Sequence, residues 1–386
     1  MIKVIELFSG IGAFRKALQR LNVEHEVIGI SEIDKYAIKS YNSIYGDTYN
    51  FGDISEIEKL PYCDLLTYGF PCQDISIAGL QKGIKKDTRS GLLYEVQRVL
   101  NEYKNNDELP KYLIMENVKN LVSKKFKPKF DEYLEWLDEL GYNNYWQVLN
   151  AKDYGIPQNR ERVFCVSIRK DINKSFKFPL KQELKLRLKD ILEDKVEEKY
   201  YLSGDKIKNL KHLLNPEKIA RTIRTTGHGS LDKHCFDVLA EPKIQQVGNI
   251  AEEKNFKNPQ SGRVYSIDGI SPTLNTMQGG GLEPKVIIGS TQKHATISYN
   301  GISPCLTSSM GTGGGHVPMH NYNFKIRKLT PKECWRLMGF DDIDIDKCID
   351  NGLSNTQLYK QAGNSIVVNV LEQLLLNLEM EKVKND

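Results

Sequence analysis

Short apolar runs alternate with amphipathic stretches over the first 170 residues. Val4-Ile5-Glu6-Leu7-Phe8, Val27-Ile28-Gly29-Ile30, Asp64-Leu65-Leu66-Thr67-Tyr68, Tyr112-Leu113-Ile114-Met115, Trp146-Gln147-Val148-Leu149 and Val163-Phe164-Cys165-Val166 have strand character. Between them, Phe14 to Leu21, Tyr36 to Tyr45, Leu92 to Tyr103 and Phe130 to Leu140 carry helical spacing. Strands separated by helices predict a parallel sheet covered on both faces. Ligands of such a sheet bind at the carboxyl ends of its strands, where Phe8, Glu32, Cys72 and Glu116 fall.

The pattern changes near Pro179. Lys181 to Lys199 is charged and amphipathic, with a solvated helix face as the expected form. Beyond it an internal repeat emerges: Ile219-Ala220-Arg221-Thr222-Ile223-Arg224-Thr225, Ile270-Ser271-Pro272-Thr273-Leu274-Asn275-Thr276 and Ile302-Ser303-Pro304-Cys305-Leu306-Thr307-Ser308. Each runs into a glycine cluster, which predicts short strands or hairpins leading to loops rich in backbone amides. Thr330, Pro331 and Glu333 form an N-cap, a first-turn proline and a capping box for a helix through Phe340. Gln361-Ala362-Gly363-Asn364-Ser365 reads as a turn opening an amphipathic helix from Val367 to Leu378.

Length adds one constraint: 386 residues suit a large domain and a smaller one. Seven scattered cysteines make no CxxC, so neither a disulfide framework nor a structural metal is expected. No apolar run approaches a membrane span, and Met1-Ile2-Lys3-Val4-Ile5 enters a strand directly, so a cytoplasmic protein without a signal peptide is expected. A net charge of +4 permits a nucleic-acid partner without demanding one.

Candidate chemistry sits at the strand ends. Gly69-Phe70-Pro71-Cys72-Gln73 puts a thiol at the mouth of one strand, and Glu116 ends the strand Lys111 to Met115. Thiol and carboxylate make a plausible nucleophile and proton donor, although a lone cysteine more often packs and a lone carboxylate is more often solvated. Phe8-Ser9-Gly10-Ile11-Gly12 follows a strand and precedes a helix, as a nucleotide-type cofactor loop does. Arg15 stands where a dinucleotide fingerprint has its third glycine, which argues against NAD and fits an adenosine cofactor without phosphates. Glu32 is placed to accept from ribose hydroxyls, and Asp53-Ile54, expected to end the next short strand, to meet an adenine.

The ordered set Phe8-Ser9-Gly10-Ile11-Gly12, Gly69-Phe70-Pro71-Cys72-Gln73, Glu116-Asn117-Val118, Gln158-Asn159-Arg160-Glu161-Arg162-Val163 and Gly363-Asn364-Ser365 resembles the bacterial and phage DNA (cytosine-5)-methyltransferases of the type II restriction-modification kind. The resemblance covers roughly residues 1 to 175 and 325 to 380. It implies an α/β, S-adenosylmethionine-dependent methyltransferase fold: a Rossmann-like seven-strand mixed sheet, its seventh strand antiparallel, with a smaller β-rich target-recognition domain. Residues 1–179 would be the catalytic and cofactor-binding domain, 180–340 the recognition domain, and 341–386 a segment returning to the first. Cys72 would attack cytosine C6, and Glu116 would bind N3 as the protonated acid. Arg162 and Arg160, two apart on an extended segment, would lie near the target nucleotide. S-adenosylmethionine would lie over Phe8, Ser9, Gly10 and Gly12, its ribose at Glu32 and its adenine between Ile33 and Ile54, near Asp53. Gly69, Pro71, Leu92, Asn364 and Ser365 would close that pocket.

Duplex DNA is the implied partner, with the target base rotated out of the helix. The stretch from Gln73 to Arg89, with Ser76, Lys82, Lys85 and Lys86, reads as a loop that closes over the flipped base. Thr273-Leu274 is the best match to the Thr-Leu pair of the family's recognition region, echoed at Thr222-Ile223 and Cys305-Leu306. Candidate base-reading residues are Arg221, Arg224, His228, Asn275, Gln278, Ser308, Ser309 and His316. The protein is expected to be a monomer, with any cognate restriction endonuclease acting independently. Three alternatives stay open: a tRNA cytosine-5 methyltransferase with the same thiol chemistry, a catalytically inactive DNA-binding relative and, more distantly, a NAD-dependent oxidoreductase.

Overall fold

A computed structural model describes residues 1–71, 91–201, 244, 246–249, 263–274, 283–288 and 325–379. The chain divides into two units, Met1–Leu186 with Thr273–Gln278 and Cys334–Asp386, and Arg187–Pro272 with Gly279–Glu333.

The first unit is built on a sheet of β1 (Ile2–Leu7), β2 (His25–Ser31), β3 (Leu65–Tyr68), β4 (Tyr112–Val118), β5 (Tyr142–Asn150) and β6 (Glu161–Arg169), in the order β2-β1-β3-β4-β6-β5. All six apolar runs picked out above are strands of this sheet. The first four run parallel, because α1 (Ala13–Arg20), α2 (Lys35–Tyr45) and α3 (Leu92–Asn105) provide the crossovers that parallel pairing needs. An all-parallel sheet was expected from the alternation, but β6 is antiparallel to both β4 and β5. A 3₁₀ turn at Ala151–Tyr154 and a short loop join β5 to β6, so the chain has no crossover helix and must double back. Among the described residues the sheet has six strands rather than seven. At its outer edge Asn50 adds a single parallel bridge to Ile30, so the antiparallel member is β6.

Because β1 pairs with β2 on one side and β3 on the other, the strand order reverses at β1 and opens a crevice beyond the strand carboxyl ends. Ile5, Leu7, Leu66, Tyr68, Leu113 and Met115 bury one face of the sheet against α3 and α4 (Lys127–Leu140). On the opposite face, Val4, Ala17, Leu18, Leu371 and Leu374 are fully buried on β1, α1 and the last helix.

In the second unit β10 (Lys325–Lys328) pairs antiparallel with β9 (Lys285–Ile288), β9 parallel with β8 (Arg263–Tyr265), and β8 antiparallel with β7 (Gln246–Asn249). Of the three repeated segments only Ile270–Leu274 is described, and it contributes one bridge residue, Ser271, rather than a strand. The charged segment 181–199 is not helical. It carries 3₁₀ turns at Leu188–Ile191 and Glu198–Tyr200, because the N–H groups of Leu188 and Lys189 donate to the carbonyls of Gly269 and Ile267 instead of to their own chain four residues back.

The C-terminal helices are α5 (Pro331–Arg336), α6 (Asp342–Asp350), α7 (Asn355–Asn364) and α8 (Val368–Asn377). The capping box before α5 forms as expected: Thr330 N–H donates to Glu333 Oε2 at 2.8 Å and Glu333 N–H to Thr330 Oγ1 at 3.2 Å. Gln361 to Asn364, expected as a turn, is the last turn of α7, and the break before α8 falls at Ser365–Val367.

Candidate active site

The loop after β1 is shaped by backbone conformations that favour glycine. Phe8, Gly10 and Gly12 have φ of +54°, +56° and +76°. Gly10 N–H donates to Glu32 Oε2 at 2.9 Å, while Glu32 Oε1 accepts from the N–H groups of Ile33 and Asp34, each at 2.9 Å. Three of the roughly four acceptor positions of a carboxylate are thus filled, leaving capacity for a hydroxyl. Asn50, which sequence reasoning passed over, fixes Glu32 by accepting its N–H at 3.1 Å and donating to its carbonyl at 3.0 Å. Behind the loop, Tyr45 OH donates to Gly12 O at 2.6 Å. A Cβ at Gly12 would lie 2.5 Å from a Tyr45 ring carbon and 2.6 Å from one of Tyr41. Arg15, in place of a third glycine, stacks its guanidinium 4.9 Å from the centroid of Tyr45 and donates to Thr48 Oγ1.

Three features fit this loop to an adenosine-type cofactor. Ser9 Oγ is buried with no hydrogen-bond partner among the described residues. A Cβ built on Gly10 meets nothing within 4 Å among the described residues, so they leave open space above the loop. Ile33, next to Glu32, exposes 71% of its surface, enough for an aromatic ring to cover. Ile54 is 2% exposed and packs in the core, and Asp53 heads a 3₁₀ turn, its carboxylate capping Ser55 N–H, rather than ending a strand.

At the next strand ends, Tyr68 pairs with Met115, so Glu116 is the first β4 residue beyond β3. It does not end its own strand, since β4 runs on to Val118 along β6. A Cβ at Gly69 would sit 3.4 Å from Glu116 Oε2, so the glycine leaves the carboxylate uncrowded. Asn117 Nδ2 donates to Phe70 O at 3.0 Å and thereby fixes the backbone leading into Pro71. Arg162 Nε lies 3.1 Å from Glu116 Oε1, with 17% and 13% of the two side chains exposed. Burial pushes the Glu116 carboxyl above the usual carboxylate range, and the positive charges of Arg162 and Arg160 oppose that rise.

Arg160 is spent differently from what its spacing suggested. It is buried, with Nη1 donating to Leu274 O at 2.8 Å and Nη2 to Gly363 O at 2.9 Å and Ser365 O at 2.8 Å. It ties its own stretch of chain to Leu274 and to the 363–365 run. Gln158 assists: its Oε1 accepts from Leu274 N–H at 3.2 Å and its Nε2 donates to Leu337 O at 2.8 Å. Thr273 Oγ1 donates to Asn159 O at 2.5 Å. Ser365 is buried and Asn364 exposed at the end of α7, while Leu92, half-buried, opens α3.

Cys72, Gln73, Ser76, Lys82, Lys85, Lys86, Arg89, Arg221, Arg224, His228, Asn275, Gln278, Ser308, Ser309 and His316 lie outside the described residues. Among the described residues no group of three or more His, Cys, Asp or Glu is placed to hold a metal, and no helix is long and apolar enough to cross a membrane.

A switched α/β sheet with one antiparallel strand, a glycine loop after β1 and an acidic residue after β2 define the S-adenosylmethionine-dependent methyltransferase fold. Similar solved structures include an Entamoeba histolytica methyltransferase, EhMeth (TM-score 0.63, 20% identity, 98% of each chain), and S. pombe Dnmt2 methyltransferase (TM-score 0.62, 18% identity, 98% of this chain and 99% of that one). The C-5 cytosine-specific DNA methylase family model matches residues 2–379, and the chain belongs to that family. Its relatives include the orphan methyltransferase M.SPBetaI of Bacillus phage SPbeta (36% identity, 98% of this chain and 97% of that protein) and the type II methyltransferase M2.ScrFI of Lactococcus lactis subsp. cremoris (34%, 98% and 99%). The type II methyltransferase M.HhaI of Haemophilus parahaemolyticus is 33% identical over 98% of this chain and 94% of its own.

Proposed function

We propose that the protein methylates C5 of cytosine at a short site in duplex DNA, through a covalent bond between Cys72 and C6 of a cytosine rotated out of the helix. The half-buried Glu116–Arg162 pair at the sheet's carboxyl edge, beside Gly69-Phe70-Pro71, carries this reading. A carboxyl whose hold on a proton is raised by burial can donate to N3 of a flipped cytosine while the Cys72 thiolate adds to C6. The electron pair pushed into the ring leaves C5 nucleophilic. After methylation, loss of the C5 proton expels the thiolate and gives 5-methylcytosine. Arg162 holds Glu116 in place and offers positive charge to the base or its phosphate. Arg160 and Asn117 are positioning residues, acting on the backbone around the reacting groups.

S-adenosylmethionine, held by Phe8, Ser9, Gly10, Gly12, Glu32, Ile33, Asp53, Ile54, Gly69, Pro71, Leu92, Asn364 and Ser365, would supply a methyl group on a sulfonium leaving group. Thr273-Leu274 and the loops of 180–340 would read the DNA, with the protein acting as a monomer and any restriction endonuclease a separate chain. Incubation of the protein with S-adenosylmethionine and unmethylated plasmid, followed by base-resolution mapping, should show 5-methylcytosine confined to one short context. Cys72→Ala should abolish it while still binding DNA. Methylation of tRNA but not plasmid, or turnover near wild type in Cys72→Ala, overturns the reading.

A further inference from the structure

Glu6 is a carboxylate next to the carboxyl end of β1, 1% exposed, that the proposed chemistry does not use. Its Oε2 accepts from Tyr41 OH at 2.5 Å and its Oε1 from Arg15 N–H at 3.1 Å. Both partners belong to the support of the cofactor loop. Arg15 lies in the first turn of α1, which Gly12 starts, and its guanidinium stacks on Tyr45 and Tyr41, with centroids at 4.9 and 5.6 Å. Tyr45 in turn holds Gly12 O, and the Gly12 backbone lies against both rings with no room for a methyl group. The loop is therefore gripped from two sides, by Glu32 at Gly10 and by the Glu6-centred cluster at Gly12.

We propose that Glu6 is a proton-sensitive positioning residue for the cofactor loop, whose ionised carboxylate holds Tyr41 and the start of α1 in the arrangement that accepts the cofactor. This rests on the cofactor assignment above. An ionised carboxylate only accepts, and both of its neighbours donate to it here. A proton on Oε2 would force the Tyr41 hydroxyl to turn and accept, or the pair to separate, loosening the rings that seat Gly12. Burial pushes the Glu6 carboxyl up to about 7, against the pull of Tyr41 and Arg15, so the two forms exchange near neutral pH. The other charged or titratable groups described around the cluster are Tyr45 itself, Asp344 and Cys348 facing Tyr45 from α6, and His25 of β2, whose imidazole is pushed below its usual value by burial and by the Arg15 charge. Asp344 is ion-paired to Lys16 of α1. β2 and β3 present Ile30 and Thr67 at the register of Glu6.

If only the ionised form binds, the apparent Kd scales with the inverse of the ionised fraction, giving about a tenfold weakening from pH 8 to pH 6. The test is calorimetric titration of the full chain with S-adenosyl-L-homocysteine between pH 6 and 8. Wild type should weaken about tenfold toward pH 6. Glu6→Gln should bind with a flat pH profile, Glu6→Asp should restore the slope, and Tyr41→Phe should shift its midpoint. A flat wild-type profile, or the same slope in Glu6→Gln, overturns the role of Glu6 while leaving the cofactor assignment intact. Absence of binding by folded wild-type protein at pH 8 overturns both.

Discussion

Replacing Arg160 by Lys separates a positioning role from a catalytic one. The guanidinium makes three hydrogen bonds of 2.8–2.9 Å to the carbonyls of Leu274, Gly363 and Ser365, all buried. An ammonium at the end of a lysine can keep one of these directions and loses the fork that serves the others. Hydrogen bonds from charged donors contribute about 1.5–3 kcal/mol each, so losing two costs on the order of 3 kcal/mol after local adjustment. In a chain of this size that corresponds to a Tm lower by roughly 5 °C. Because two of the carbonyls belong to the Gly363–Ser365 turn, part of the loss should reach cofactor affinity, with Kd for S-adenosyl-L-homocysteine rising about tenfold. Differential scanning fluorimetry and calorimetry measure both. Under saturating cofactor and DNA, kcat should stay within about threefold of wild type, since no transition-state contact is removed. A variant with unchanged Tm and Kd but a hundredfold lower kcat would refute the reasoning and put Arg160 at the reacting base.

Glu116→Gln removes the proton donor and should lower kcat by at least about a hundredfold without loss of DNA binding, measured by single-turnover methyl transfer. Because burial raises the Glu116 carboxyl and Arg162 opposes the rise, methyl transfer should decline as pH climbs through that raised value, and Arg162→Ala should move the declining limb to higher pH; a limb that stays put or moves lower refutes the assignment. Gly12→Ala combines a φ of +76° with overlap on the Tyr41 and Tyr45 rings and should cost about 2–4 kcal/mol by urea denaturation, with cofactor binding lost first. Glu333→Gln breaks a fully buried bidentate pair with Arg327, at 2.7 Å on both oxygens, and should destabilise by about 3–5 kcal/mol in the same assay.

The fold was legible where one local rule governed each element. The six apolar runs are the six strands of the large sheet, and Thr330, Pro331 and Glu333 start their helix as their chemistry dictates. Local rules failed where distant chain supplied the partner. Segment 181–199 has helical spacing, yet the N–H groups of Leu188 and Lys189 are taken by Gly269 and Ile267, and no pattern within the segment records that. The direction of β6 was misjudged for a related reason, because a hairpin-like return and a crossover look alike until the connection is seen to be too short for a helix. Even the capping box hid its larger function: Glu333 also receives Arg327 and Glu193 N–H, so one carboxylate ties the 327–333 run to the chain around Glu193 in the second unit.

The same division runs through the site. Glu32, just past β2, and Glu116, the first β4 residue beyond β3, lie at the sheet's carboxyl edge as the pattern predicts, because the sheet alone sets those positions, although β4 itself runs on to Val118. Residues that act on other residues were misread or missed. Arg160 and Arg162 are two apart on an extended segment and indistinguishable by spacing, yet Arg162, on β6, faces a carboxylate and Arg160, just before it, faces three backbone carbonyls. What separates them is the return of residues 273–274 and 363–365 to β6. Asn50, Asn117 and Gln158 likewise carry amides that hold backbone at 2.8–3.2 Å, a role open to any asparagine or glutamine in a sequence. Glu6 is the extreme case. Inside the pattern Val4-Ile5-Glu6-Leu7 it reads as an interruption of a buried strand, and an unpaired carboxylate there would be costly. Its burial makes sense only once Tyr41 and Arg15 arrive from the two following helices. An interruption of that kind in a fully buried strand therefore marks a carboxylate with partners elsewhere in the chain, and here those partners support the loop proposed to take the cofactor.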